Sequence, residues 1–124
     1  MEDERLKNKN FIDAVKKALN GIWYGIKTQR NLKIQIVVTI LVVIVGILLK
    51  LTTLEFIFIV FAFMIVIITE IINTAIETVV NLYTDKYHEL AKIAKDVAAG
   101  AVMLAAINSI IVAILLLISK FTAK

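Results

Sequence analysis

The chain has 124 residues, of which 60% are hydrophobic, with no Cys, no Pro, a single His and a net charge of +4. Disulfides, thiolate metal sites and thiol catalysis are therefore excluded, and His88 alone cannot supply a multi-histidine metal site within one chain. An ordinary soluble domain is about half apolar, so this composition points to one compact membrane domain covering residues 1–124.

Met1 to Asn10 is charged and is expected to fray. From Phe11 to Ile26 the apolar residues Phe11, Ile12, Val15, Leu19, Ile22, Trp23 and Ile26 follow a helical period, with Lys16, Lys17 and Asn20 opposite. A basic amphipathic helix carrying a Trp is expected to lie in the membrane interface, over about residues 9–28. A first span is expected over about 32–50, rich in Val and Ile and free of charge after Lys33 until Lys50. Lys50 to Thr53 reads as a tight turn. A second span follows over about 54–80, in a helix long enough for its polar end to leave the lipid. A charged connection, Thr84 to Lys95, leads to a third span over about 97–119. The first half of that span is small (Ala98, Ala99, Gly100, Ala101, Ala105, Ala106, Ser109), which suits close packing within the chain or between subunits.

Eight of the 14 Lys and Arg precede residue 34. A basic N-terminal third can face nucleic acid or an anionic membrane, and three adjacent spans favour the membrane, with no nucleic-acid partner. The first 30 residues lack a central apolar run and an A-x-A site, so no cleavable signal peptide is expected. The turn at Lys50 is poor in positive charge, whereas the second connection holds Lys86, Lys92 and Lys95, and the tail holds Lys120 and Lys124. The positive-inside rule then places the N-terminus and the second connection in the cytoplasm.

The run TEIINTAIETVVN, Thr69 to Asn81, carries the candidate chemistry. An ionised carboxylate within a bilayer costs roughly 2.5 kcal/mol or more, so acids there signal function. Glu70, Asn73, Thr74 and Glu77 are spaced i, i+3, i+4 and i+7 and share one helix face, which Asn81 extends by a turn. Desolvation of the deeper Glu70 suits a general base working near neutral pH, and Glu77, nearer water, suits a hard cation such as Mg²⁺. Such polar groups can also glue helices together or line an ion path, but two acids on one face favour chemistry. In the second cluster, Lys92, Lys95 and Asp96 lie one turn apart before the last span, where Lys can neutralise phosphate charge. A solvated charge run would look the same, and a lone His88 is more often structural. No G-x-x-x-x-G-K-[ST] loop and no G-x-S-x-G elbow occurs. From its residues alone, this is a small membrane protein with an acidic intramembrane site facing the cytoplasm.

The stretches Glu70-Ile-Ile-Asn-Thr-Ala-Ile-Glu77, Tyr87-His88-Glu89-Leu90-Ala91-Lys92 and Ala94-Lys95-Asp96 through Gly100-Ala101-Val102 resemble the small bacterial diacylglycerol kinase family. They are most similar to its Gram-positive branch, which acts as undecaprenol kinase. The resemblance runs from about Phe11 onward. It implies an all-α membrane protein, an N-terminal amphipathic surface helix plus three transmembrane helices, assembled as a homotrimeric bundle in the bacterial cell membrane. It implies transfer of the γ-phosphate of MgATP to the hydroxyl of undecaprenol or diacylglycerol. By matching residue, Glu70 would be the general base with Asn73 beside it, and Glu77 a Mg²⁺ ligand. Lys95 and Asp96 would contact the nucleotide, as would the segment Lys86, Tyr87 and His88. Two acids of the family pattern are amides here: Gln29, at the position of a metal-binding Glu, and Asn81, at the position of an Asp. Each keeps the shape and removes a negative charge, which should weaken Mg²⁺ binding. A non-enzymatic membrane protein, either a proton-coupled transporter or a kinase-like remnant, is the alternative. Clustering of the acids toward one membrane face argues against a transporter.

Overall fold

A computed structural model describes residues 4–122, so the first three residues and the tail's Lys124 lie outside the described part. It is all helical: α1 Glu4–Thr28, α2 Arg30–Leu48, α3 Thr53–Tyr83 and α4 Glu89–Thr122. Three of these, α2, α3 and α4, are long and apolar enough to cross a membrane. The charged stretch from Glu4 to Asn10 is helical and continuous with α1, because Glu, Arg and Lys are good helix formers. The second connection is likewise short. Only Thr84 to His88 lies outside helix, and Glu89 to Asp96 form the first two turns of α4.

α3 is the centre of the molecule. It packs most extensively along α4 and less against α2, while α1 lies against α3 from Ala18 to Gly25. At 31 residues, α3 is about 46 Å long against a hydrocarbon core of about 30 Å, so one end must reach water. α1 keeps Phe11, Ile12, Leu19 and Trp23 exposed on the face opposite Lys16 and Lys17, as an interfacial helix requires. α1 and α2 are separated by a single residue in extended conformation, Gln29. Gly25 lets the elbow close: a Cβ there would stand 3.0 Å from Leu32 Cδ2, and Leu32 is fully buried.

At the opposite end of the bundle, α2 ends in a Schellman-type turn. Leu51 N donates to Gly46 O at 3.1 Å and Lys50 N to Ile47 O at 3.1 Å. Lys50 holds the left-handed position usually taken by Gly, with φ 56°. Thr52 and Glu55 then close a capping box on α3, with Thr52 N donating to Glu55 Oε1 at 2.8 Å and Glu55 N to Thr52 Oγ1 at 3.2 Å. Lys120, from the end of α4, donates to Lys50 O at 2.9 Å and to Glu55 Oε1 at 3.2 Å, which ties all three spans together. Behind the turn lies the packed core, Ile59, Ala62 and Phe63 of α3 against Val42, Phe56, Val112 and Leu116. The small residues of α4 are used partly within the chain. Ala98, Ala105 and Ser109 are buried, whereas Ala101 is exposed.

Candidate active site

The acidic stripe lies on one buried face of α3. Glu70, Asn73 and Thr74 are 4%, 9% and 6% exposed, and Glu77, one turn nearer the end, is half-buried. Helical spacing does the local work. Asn73 Nδ2 donates to Glu77 Oε1 at 3.1 Å, and the Thr74 hydroxyl donates back to Glu70 O at 3.0 Å. Thr78 repeats that back-bond to Thr74 O at 2.8 Å. The polar side chains of α3 are thus held against their own helix. Glu70 and Glu77 lie two turns apart on the same helix face, and the carboxamide of Asn31 lies beside Glu70.

Asn31 is the residue that sequence reading missed. It sits two residues past the elbow, next to the buried Leu32. Its signal was a polar residue flanking an apolar span, which is too common to single out. Gln29 occupies the elbow itself, half-buried, as the N-cap residue of α2 without a side-chain cap bond. From this elbow, Asn31 is the residue that lies beside Glu70.

The second group assembles around the connection between α3 and α4. Lys86, Tyr87, His88, Lys95 and Asp96 line one surface cavity of about 250 Å³, together with Lys92. His88 shapes it: its Nδ1 accepts from Leu90 N at 3.2 Å and its carbonyl from Lys92 N at 2.9 Å, which caps α4. The other face of His88 meets the edge of Tyr83, ring centroids 5.9 Å apart. The two lysines that face α3 and α4 differ. Lys92 Nζ pairs with Asp96 Oδ2 at 2.6 Å, and the charges offset each other. Lys95 Nζ reaches across to Asn81 Oδ1 at 2.8 Å, a neutral acceptor, and among the described residues it forms no ion pair. That contact joins the cavity to the end of the acidic stripe.

Among the described residues, no three His, Cys, Asp or Glu side chains gather as a metal cluster. The donors present, Glu77 with Asn73 beside it, do fit a Mg²⁺ carried largely by substrate phosphates and water, which takes one or two protein carboxylates.

Fold and site together define a class: a small multi-pass helical membrane protein whose second span presents two carboxylates beside a cationic cavity. The sequence model described as prokaryotic diacylglycerol kinase matches residues 16–117. The chain is 38% identical to an undecaprenol kinase of Bacillus subtilis, over 96% of this chain and 97% of that one. It is 42% identical to a diacylglycerol kinase of Synechocystis, over 83% of this chain and 59% of the relative. It is also 47% identical to a diacylglycerol kinase of Escherichia coli, over 47% of this chain and 48% of the relative. The chain belongs to the prokaryotic diacylglycerol kinase family. By that membership it is a membrane-embedded lipid kinase.

Proposed function

We propose that the chain transfers the γ-phosphate of MgATP to the hydroxyl of a membrane lipid, with undecaprenol as substrate ahead of diacylglycerol. The reading is carried by one juxtaposition. The Glu70–Asn73–Glu77 face runs into a cationic cavity, and the Lys95–Asn81 contact bridges the two. Likeness to the Bacillus subtilis undecaprenol kinase over nearly the full length of both chains supports the choice of lipid.

Glu70 takes the proton of the lipid hydroxyl. The freed oxygen attacks the γ-phosphorus in line, the bond from that phosphorus to the β–γ bridging oxygen breaks, and ADP leaves. Phosphoryl transfer needs placement and charge neutralisation more than covalent help, and this chain supplies both without a Gly-rich loop. Lys95 offers its ammonium, held by the neutral Asn81 amide, to the phosphates. Asp96, Lys86, Tyr87 and His88 line the cavity for the rest of the nucleotide. Glu77 would hold Mg²⁺, with Gln29 offering a neutral oxygen from the elbow. When bound, the ion supplies charge neutralisation on the phosphates. Asn31 and Asn73 keep the carboxylates in place. The charge distribution supports a cytoplasmic N-terminus and cavity, in the cell membrane, where ATP is available. Family likeness supports a homotrimer.

The test is side-by-side transfer of labelled γ-phosphate from ATP to undecaprenol and to diacylglycerol by the purified chain in mixed micelles, across Mg²⁺ concentrations. Transfer to undecaprenol in excess is expected. Transfer to neither lipid at saturating Mg²⁺ would sink the proposal. The two amides, Gln29 and Asn81, favour a weakened enzyme as the second reading. Under it, Gln29→Glu restores turnover at low Mg²⁺.

A further inference from the structure

α2 and α4 both pack on α3, and among the described residues they do not pack on each other. At the turn end this leaves a groove of about 230 Å³ between them. Its walls are Val38, Val45 and Leu49 of α2 and Ala113 and Leu117 of α4, with Ile59 of α3 between. Every residue that lines it is apolar. Helices held apart over such a groove forgo the dispersion contacts of close packing, so the groove calls for a filler. Its length narrows the choice. The α2 wall from Val38 to Leu49 measures about 16 Å at a helical rise of about 1.5 Å per residue. One leaflet's share of the bilayer hydrocarbon is about 15 Å, whereas a helix from another copy would cross the whole core of about 30 Å. The groove therefore matches a single acyl chain.

Its mouth carries charge. Lys50 is exposed and stands between Leu49 and Leu51, which both line the groove. Lys120 Nζ lies 2.9 Å from Lys50 O and 3.2 Å from Glu55 Oε1. Two ammonium groups thus meet one carboxylate, and that carboxylate also accepts from Thr52 N in the capping box. A net positive charge is left where the apolar groove reaches the headgroup layer, and lipid phosphate is the anion at that depth.

We infer that this groove holds a resident anionic phospholipid of the leaflet at the turn end. One acyl chain lies over Ile59 between α2 and α4, and the phosphate rests against Lys50 and Lys120. A zwitterionic headgroup would bring its own ammonium against Lys50, whereas a net negative headgroup matches the charge at the mouth. This lipid is not a substrate. Glu55 and Glu77 lie about 33 Å apart along α3, and Glu55 is already engaged by Thr52 and Lys120. The lipid instead joins α2 to α4 where the protein itself does not. The inference stands whether or not the chain transfers phosphate.

The experiment is photo-crosslinking of the full chain in detergent micelles with phosphatidylglycerol bearing a diazirine on one acyl chain, followed by peptide mapping. Labels are expected on the α2 segment 38–49 and the α4 segment 113–117. Unlabelled phosphatidylglycerol should displace the probe at least tenfold better than phosphatidylcholine with the same chains. Lys50→Gln should cut that preference to less than threefold, with phosphate transfer in phospholipid-free micelles unchanged. Val45→Phe, at an exposed edge of the groove, should lower labelling at least fivefold. Equal competition by the two phospholipids overturns the inference. So does label spread evenly onto exposed positions outside the groove, such as Met103 and Ile110, because that pattern is bulk lipid. The chain has no Cys, so Val45→Cys gives a second reading. A disulfide between copies at that position would show that a second copy covers the groove, and would overturn the inference as well.

Discussion

The two ends of the bundle are built on opposite terms. At the turn end, polar groups are paired with one another. Thr52 and Glu55 satisfy each other, Lys120 closes on Glu55 and on Lys50 O, and the cavity behind, about 230 Å³ between Val45, Leu51, Ile59 and Leu116, is apolar. At the site end, two carboxylates share one helix face, Asn73 Oδ1 has no donor among the described residues, and Lys95 rests on a neutral amide. One helix serves both ends. The contrast teaches where this chain places its stability and where it keeps groups ready for a substrate. Unmet hydrogen bonds are unfavourable in a folded protein, and they concentrate at the end that must bind substrate.

Substitutions can break this division. Glu70→Gln keeps the shape of the side chain and removes the base, so phosphate transfer should fall by about 10²- to 10⁴-fold. Thermal unfolding in micelles should change little, because the stripe contributes function rather than packing. A large loss of stability would show that the site end is structural as well. Gly46→Val is the converse. A Cβ at Gly46 would stand 2.9 Å from Leu51 Cδ1 and 3.0 Å from Phe56 Cε1, inside the turn that closes the other end. Overpacking of this kind costs about 1–3 kcal/mol, and the melting temperature should drop while turnover per folded molecule holds.

Lys95→Met tests the cavity. Hydrogen bonds to charged groups contribute about 1.5–3 kcal/mol, so the KM for ATP should rise roughly tenfold or more with the KM for lipid unchanged. An equal rise in both would mean that Lys95 serves the whole site rather than the nucleotide. The smallest effect is expected at Lys50. Its left-handed backbone costs a non-glycine residue about 1 kcal/mol, and Lys50→Gly should recover part of that as a higher melting temperature with activity intact. Its carbonyl, which receives Lys120, would remain.

Much of this was legible in the chain. The apolar runs determined three spans, because a bilayer admits backbone only where helix satisfies it, and helix length follows from run length. The period of Phe11 to Ile26 determined a surface helix in the same way. Glu70, Asn73 and Glu77 could be placed together because residues three and four apart on a helix are neighbours whatever else the chain does. Local spacing also foretold the turn at Lys50 and gathered Lys86 to Asp96 into one segment.

Contacts between helices were decided by tertiary structure. Asn31 and Glu70 are far apart in sequence and meet because the Gln29 elbow folds α1 and α2 beside α3. Lys95 and Asn81 meet because α3 and α4 run antiparallel from a short connection, which no periodicity within one helix specifies, whereas the Lys92–Asp96 pair follows from i, i+4 spacing. His88, one ring without a pattern, became a helix cap. The cleft between α3 and α4 exists where small residues of α4 lie opposite Ile72. A sequence specifies neighbours along one helix through its fixed pitch. Which helices then touch, and where they leave room, depends on packing summed over the whole bundle, and that sum was settled only when the chain folded.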